Sequence, residues 1–226
     1  MVDIRFLGHA CFELSDGDTR VLIDPFLTGN PKAAVEASEL EPAAILVTHA
    51  HADHVGDTVD IAKRAGCPVV AIVELANEIG SNGVEVFDPN LGGTVKFDWG
   101  WVKLVPAWHT GVSQGGTATT PAGLLVGIGG RTIYHTGDTC LFSDMQLIAH
   151  RGNPIDVALV PIGGHYTMDR LDAVEAAKLI EAATVIPMHY DTFPPIETDA
   201  EAFKADVESA TSSKVQILQP GETFSA

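Results

Sequence analysis

Short apolar runs of four to six residues alternate along the chain with polar segments that are rich in glycine. Runs of this length between turn residues are typical of buried strands. The predicted strands cover residues 2–7, 20–23, 43–47, 68–73, 101–105, 131–135, 156–160, 184–187 and 214–218. Helical repeats of apolar positions occupy residues 55–65, 169–183 and 199–209. Gly66 closes the first helix and Asp169 caps the second. Leu171, Val174 and Ile180 share one face of that second helix.

The order of these elements occurs twice along the chain. In each half a strand leads to a histidine, which is His9 and then His109. A hairpin then ends near an aspartate, Asp24 and then Asp138, before a strand, a loop, a helix and a last strand. The halves cover about residues 1–98 and 99–226. The sequence therefore predicts an internally duplicated α/β domain, a four-layer αββα sandwich with its site at one end of both sheets. An ordinary α/β domain whose elements alternate by chance is the alternative.

The strongest chemical signal is the sequence THAHADHVGD at residues 48–57, directly after a predicted strand. It holds His49, His51, Asp53 and His54. Imidazole and carboxylate are ligands of a borderline metal such as zinc. Residues two apart in an extended segment point the same way, so His49 and His51 can bind one ion together. Asp53 and His54 follow the turn and can reach a second ion. A polar loop with surface histidines is the alternative.

Three further residues of ligand type follow predicted strands: His109, Asp138 and His189. In this pattern the chain resembles the metallo-β-lactamase superfamily over nearly its whole length. The resemblance implies one metal held by His49, His51 and His109, another held by Asp53, His54 and His189, and Asp138 as the bridge. The segments FLGHACF, LIDP, GGHYTM and MHYD narrow the resemblance to small cytosolic metal-dependent hydrolases similar to ascorbate-6-phosphate lactonase.

The resemblance implies a metal-dependent hydrolase with two divalent ions. Zinc is the first choice, and manganese, iron and nickel are alternatives. Hydroxide between the ions would attack a small ester, lactone or phosphoester. Asp53 is expected to bind metal and also to orient the water or accept its proton. An iron-dependent oxygenase or other redox protein is the rival reading, as is a metal-binding protein without turnover.

The duplication also predicts roles outside the ligand set. His9 matches His109, and His165 matches the histidine cluster, so both are expected near the mouth of the site in contact with substrate. His165 is expected to donate hydrogen bonds to an oxyanion or a phosphate, with a local backbone contact as the alternative. For His9 the alternative is a purely structural role. Asp24 is expected to orient a metal-binding histidine, unless it is only a turn residue.

Several remaining side chains and loops carry weaker expectations. His135 is interpreted as packing, with support of a metal ligand as the alternative. Cys140 is interpreted as a small core residue, with an approach to the metals as the alternative, and His150 as exposed. Arg170, near His165, is a candidate for holding one phosphate. Two irregular segments, 110–122 and 190–197, are expected to shape the pocket, the second through a rigid apolar wall at Phe193, Pro194 and Pro195. Residues 26–42 form a third irregular stretch.

Charge and cysteine content restrict the partners. The net charge is −17 with only 13 lysines and arginines, which disfavours nucleic acid and anionic membrane surfaces. The odd number of cysteines, three, favours free thiols in a reducing compartment. No secretory signal or membrane-spanning run is recognised, so a cytoplasmic enzyme with a small-molecule substrate is expected. A homo-oligomer is left open, with Trp99 and Trp101 as residues of a subunit interface or of the core.

Overall fold

The structure, a computed structural model, describes residues 1–17, 19–150 and 154–226, without the side chain of His150. The expected exposure of His150 therefore lies outside the described residues. The strands are β1 (Asp3–Gly8), β2 (Cys11–Asp16), β3 (Thr19–Ile23), β4 (Ala44–Leu46), β5 (Val69–Val70), β6 (Val86–Phe87), β7 (Thr94–Phe97), β8 (Gly100–Pro106), β9 (Ala122–Ile128), β10 (Arg131–His135), β11 (Val157–Pro161), β12 (Thr184–Met188), β13 (Lys214–Val215) and β14 (Thr223–Ser225). The helices are α1 (Ala52–Val55), α2 (Thr58–Ala65), α3 (Val73–Gly80), α4 (Met145–His150), α5 (Arg170–Ile180) and α6 (Ala200–Ala210).

The strands form two seven-stranded sheets whose pairing patterns match strand for strand. The first sheet has the order β14-β1-β2-β3-β4-β5-β6, and the second, written from the corresponding edge, has the order β7-β8-β9-β10-β11-β12-β13. In each sheet the first four strands pair antiparallel, and the pairs beyond them are parallel. This match confirms the predicted αββα sandwich as a duplicated single domain.

Two apolar cores separate the layers of the sandwich. The larger core lies between the sheets and beneath α2 and α3, and it contains Ile4 of the first sheet and Val126 of the second. The other core lies between the outer face of the second sheet and the helices α4, α5 and α6, and it includes Tyr134 and Phe203. The cores fix the two sheets face to face, so the loops at one end of both sheets meet there.

The division between the sheets does not coincide with the predicted boundary near residue 98. Strand β7 lies before that boundary, yet it pairs with β8 in the second sheet. Strand β14 comes from the far end of the chain and pairs antiparallel with β1, with Ser225 opposite Asp3. Each sheet therefore has an antiparallel strand at its edge, and the first sheet receives its edge strand from the last residues of the chain.

The first predicted helix is broken in the structure. The segment 55–65 is divided between α1, a single turn that begins at Ala52, and α2, which begins at Thr58. Gly56 lies between them with φ of +41°, and a Cβ there would collide with the carbonyl oxygen of Pro25. The carboxylate of Asp57 accepts hydrogen bonds from the backbone N–H groups of Leu27 and Thr28. This close approach ties the turn that carries His51, Asp53 and His54 to the loop that follows β3.

Two further differences concern exposure and element length. Leu171 is 61 % exposed, whereas Ile180 of the same helix is buried. The predicted shared face was wrong, because nine residues at roughly 100° each place these two side chains on opposite sides of the helix. The predicted strand 68–73 is reduced to β5 because α3 begins at Val73.

Asp169 caps α5 as predicted, since its side chain accepts hydrogen bonds from two backbone N–H groups. In the described part of the chain, no helix has the length and apolar character that a membrane crossing requires.

Candidate metal centre

The seven predicted ligands come together at one end of the two sheets. They follow the carboxyl ends of strands in both halves: His49, His51, Asp53 and His54 after β4, His109 after β8, Asp138 after β10, and His189 after β12. The arrangement requires unusual backbone at several positions. His9, Asp24, His165 and His189 all have positive φ, between 45° and 60°. Non-glycine residues adopt this conformation rarely, and such strain concentrates at functional sites.

Two groups of potential ligand atoms share no residue, and a third group connects them. One group consists of His49, His51 and His109, and the other of His9, Asp53, His54 and His189, while the connecting group is His49, His54 and Asp138; in each, the ligand atoms lie within 4.8 Å of one another. The first group is the predicted one. The second contains the predicted trio and adds His9.

Asp138 lies between the two groups. Its Oδ2 is 3.1 Å from Nε2 of His189 and 3.6 Å from Nε2 of His109. Its Oδ1 is 3.3 Å from Nε2 of His54. One carboxylate therefore contacts histidines of both groups, which is the position that a bridging ligand requires.

The donor set of this cluster fits divalent cations. The buried atoms Nε2 of His54, Oδ1 of Asp138 and both ring nitrogens of His189 have no hydrogen-bond partner. Buried polar atoms without a partner are costly, so such a concentration of them indicates a ligand. Burial lowers the pKa of His49 and of His109. Low pKa values favour the neutral imidazole that binds metal.

Asp24 sets the orientation of two of the histidines. It is fully buried, and its Oδ2 accepts hydrogen bonds from Nδ1 of His54 at 2.7 Å and from the hydroxyl of Thr48 at 2.6 Å. That hydroxyl in turn lies 3.0 Å from Nδ1 of His49 and accepts a hydrogen bond from it. Both rings therefore donate from Nδ1, and Nε2 of each faces the other ligands of the cluster. This supports the interpretation of Asp24 as an orienting residue.

His9 is buried within the cluster and is not exposed at its mouth, where it was expected. It is 1 % exposed, with Nε2 3.2 Å from Oδ2 of Asp53 and Nδ1 2.9 Å from Oγ1 of Thr192. Burial lowers the pKa of His9 to about 4, so the ring is neutral. It donates from Nε2 to Asp53 and accepts from Thr192 at Nδ1. Contact of His9 with substrate stays a prediction, and the structure gives the ring a role in holding Asp53.

Asp53 remains ionised in this setting. Burial would raise its pKa, but the hydrogen bond from His9 helps to outweigh that effect, so the pKa is lowered. An ionised carboxylate is the form that binds a cation. His9 occupies Oδ2 of Asp53, so Oδ1 is the oxygen without that hydrogen bond.

His165 lies on the surface beside the site. Its side chain is exposed, and its ring contacts that of Tyr166 edge to face with centroids 4.4 Å apart. Tyr166, and not His165, lines the cavity above the metal cluster. The predicted hydrogen bond from His165 to substrate stays a prediction.

Three weaker expectations have different outcomes. His135 is buried as expected, and it donates from Nε2 to the carbonyl of Ala10 and accepts from the backbone N–H of Gly137. It thereby supports the loop that carries Asp138. The prediction for Cys140 was wrong, because the residue is exposed. Arg170 forms an ion pair with Asp206 across helices α5 and α6, so its charge is already engaged.

A cavity of about 620 Å³ opens above the cluster. Its lining comprises Phe26, His51, Ala52, Asp53, His109, Thr110, Asp138, Tyr166, His189 and Phe193. Each of the three irregular segments contributes one residue: Phe26, Thr110 and Phe193. Phe193 belongs to the segment that was expected to form an apolar wall, and it lines the cavity. Phe26 and Tyr166 were not identified, because nothing in their local sequence distinguishes a cavity wall from the core.

Comparisons with known proteins agree with this geometry. Residues 3–189 match the family model of the beta-lactamase superfamily domain. The chain is 48 % identical over 227 residues to a UPF0173 metal-dependent hydrolase of Thermus thermophilus, covering 99 % of each chain. It is 37 % identical to Igni18, a metallo hydrolase of Ignicoccus hospitalis, whose structure matches with a TM-score of 0.90 over 100 % of this chain and 99 % of that one. CmlA, a diiron beta-hydroxylase of Streptomyces venezuelae, shares the fold alone, with 17 % identity and a TM-score of 0.77 over 99 % of this chain and 54 % of that one.

Proposed function

Because the chain belongs to the UPF0173 family of metal-dependent hydrolases in the beta-lactamase superfamily, we propose that it binds two divalent cations, zinc by preference, and hydrolyses a small ester, lactone or phosphoester. The observation that carries the proposal is the position of Asp138, whose carboxylate contacts histidines of both ligand groups. A site for one ion needs no such shared carboxylate. His49, His51 and His109 would hold one cation, Asp53, His54 and His189 the other, and Asp138 both.

The role proposed for each residue in hydrolysis follows from its contacts. When bound, two divalent cations supply Lewis acidity and lower the pKa of a water, so that hydroxide exists near neutral pH. Asp24 and Thr48 keep the Nε2 atoms of His49 and His54 unprotonated. His9 holds Asp53 through Oδ2, so that the carboxylate can orient the attacking water. Hydrolysis joins the water oxygen to the carbonyl carbon or phosphorus, breaks the bond to the leaving oxygen, and leaves a proton on that oxygen.

Metal content and turnover, measured together, test the proposal. We expect mass spectrometry to find about two metal ions per chain, in agreement with the two ligand groups, and hydrolysis of bis-p-nitrophenyl phosphate or of a simple lactone. A chelator is expected to abolish turnover, and zinc to restore it. Iron, colour and redox activity without hydrolysis would favour an oxygenase. Two ions with neither activity would favour a binding protein, and no metal after reconstitution would contradict the site itself.

His165 has a separate test. If the ring swings toward the substrate and donates to a developing oxyanion, His165→Ala is expected to lower kcat/KM at least about tenfold, because such donors act mainly in the transition state. Metal content should not change, since His165 is outside both ligand groups. Lys178→Ala, an exposed substitution on α5, is the control for surface changes. An unchanged kcat/KM in His165→Ala on a confirmed substrate would exclude this role.

A further inference from the structure

The cavity above the metal cluster has aromatic walls. Phe26 and Phe193 each place their ring 5.8 Å from the ring of His9, edge to face, so the two flank the same imidazole. Both are only partly buried, and both line the cavity. Tyr166 lines it as well and is 56 % exposed. Partly exposed aromatic rings around a cavity of this size are suited to cover the apolar body of a small molecule.

Lysine and arginine do not occur in the lining of this cavity, as far as the structure describes the chain. The lining does include two carboxylates, those of Asp53 and Asp138. Arg170 is engaged by Asp206. Lys32 lines a separate cavity of about 80 Å³ on the other side of His9. Phosphate and carboxylate groups are normally recognised by arginine or lysine, so an anionic group away from the metals would find no cationic partner here.

These two observations narrow the chemistry of the proposed hydrolase. We infer that the substrate is an uncharged ester or lactone with an apolar body that packs against Phe26, Phe193 and Tyr166. The inference rests on the proposed hydrolase function. In the reaction a water oxygen bonds to the carbonyl carbon, the single carbon–oxygen bond of the ester breaks, and the alcohol oxygen takes one proton of the water. In a lactone that hydroxyl stays on the same molecule. The acid loses the other proton to solvent, so the carboxylate is the one anionic group formed on the substrate.

Esters of p-nitrophenol test the inference on the zinc-reconstituted full chain. The butyrate and the hydrogen succinate have acyl groups of equal length, one neutral and one anionic. We expect kcat/KM for the butyrate to exceed that for the succinate at least about tenfold, because a charge placed in an apolar pocket stays unpaired. We also expect the hexanoate to be a better substrate than the acetate. Equal or faster turnover of the succinate, or of bis-p-nitrophenyl phosphate, would overturn the inference and leave the hydrolase intact.

Substitutions of the aromatic residues that line the cavity test whether these residues cause the preference for a longer apolar acyl group. Phe193→Ala is expected to raise KM for the hexanoate about tenfold, since one aromatic contact contributes on this scale. KM for the acetate should change less than twofold, and Phe193→Leu should retain most of the affinity for the hexanoate. Phe97→Ala is the matched control. Phe97 lies on β7, an edge strand of the second sheet, where its ring stacks on Trp99, and it is not among the residues that line the cavity. Equal effects of Phe193→Ala on acetate and hexanoate would contradict the assignment of this wall.

A binding measurement separates failure of the inference from failure of the hydrolase proposal. Hexanamide and succinamate are a neutral and an anionic amide, and their binding can be followed by ligand-observed NMR on protein with and without zinc. Hexanamide binding that Phe193→Ala weakens, without turnover of any ester, would keep the neutral apolar pocket and reject the hydrolase. Stronger binding of succinamate would reject the pocket whatever the turnover.

Discussion

Asp138→Asn is expected to cost the protein most of its bound metal and to lower kcat/KM more than about a hundredfold. The carboxylate is 2 % exposed and contacts Nε2 atoms of His54, His109 and His189 at 3.1 to 3.6 Å. The amide of asparagine has no charge and offers one oxygen in place of two, so it can no longer serve both groups. Metal content by mass spectrometry and kcat/KM on the same preparation check the expectation.

Asp156→Asn is the matched control for this substitution. Asp156 lies at the opposite end of β11, where its carboxylate contacts the guanidinium of Arg131 and accepts a hydrogen bond from the backbone N–H of Thr132. That change also removes one negative charge from the second sheet but leaves the metal cluster untouched. Two bound ions and near-normal turnover in Asp138→Asn would contradict the bridging role.

Asp24→Asn is expected to weaken metal binding by about ten- to a hundredfold, through a change of tautomer in His54. In the native protein Oδ2 of Asp24 accepts a hydrogen bond from the Nδ1–H group of His54. An amide N–H₂ at that position donates, so His54 must accept at Nδ1 and carry its proton on Nε2, the atom that faces Asp138. A protonated Nε2 cannot bind a cation. A chelator-competition titration would measure the loss.

The backbone makes Asp24→Asn a clean substitution. Asp24 has a φ of +45°, and asparagine tolerates this left-handed conformation better than other residues with a Cβ. Thr48→Ser is the control, because serine keeps the hydroxyl that donates to Asp24 and accepts from His49. Unchanged metal affinity in Asp24→Asn would show that the ring of His54 is oriented without Asp24.

The sequence was most informative where the candidate site depends on residues that are close together along the chain. The spacing of His49 to His54 after an apolar run, and single ligands after later strands, predicted a cluster that the fold assembles. The duplication was also visible, because element order survives even when boundaries shift. The placement of His9 next to Asp53, 44 residues away, was not visible. This contact depends on the tertiary arrangement that brings the end of β1 next to the turn after β4.

The remaining errors share a physical cause. Strand β6 has two residues, too few for an apolar alternation to be recognised. Strand β14 is stabilised by pairing with β1 at the opposite end of the chain, and no local signal marks it. Arg170 was predicted to hold a phosphate, and its ion-pair partner Asp206 could not be recognised because it lies 36 residues away along the chain. In each case tertiary contacts decided an outcome for which the local sequence was neutral.

The pairing of β14 with β1 has a consequence for chain connectivity. Val2 and Ala226 exchange two backbone hydrogen bonds, of 3.1 Å and 2.8 Å, so the ends of the chain lie side by side. If these ends were joined and the chain were opened between β6 and β7, the new order would begin with β7 to β13 and continue with β14 and β1 to β6. Each sheet would then be one uninterrupted stretch of sequence. The fold is in this sense a circularly permuted tandem of two equal units, and its metal centre lies at their junction.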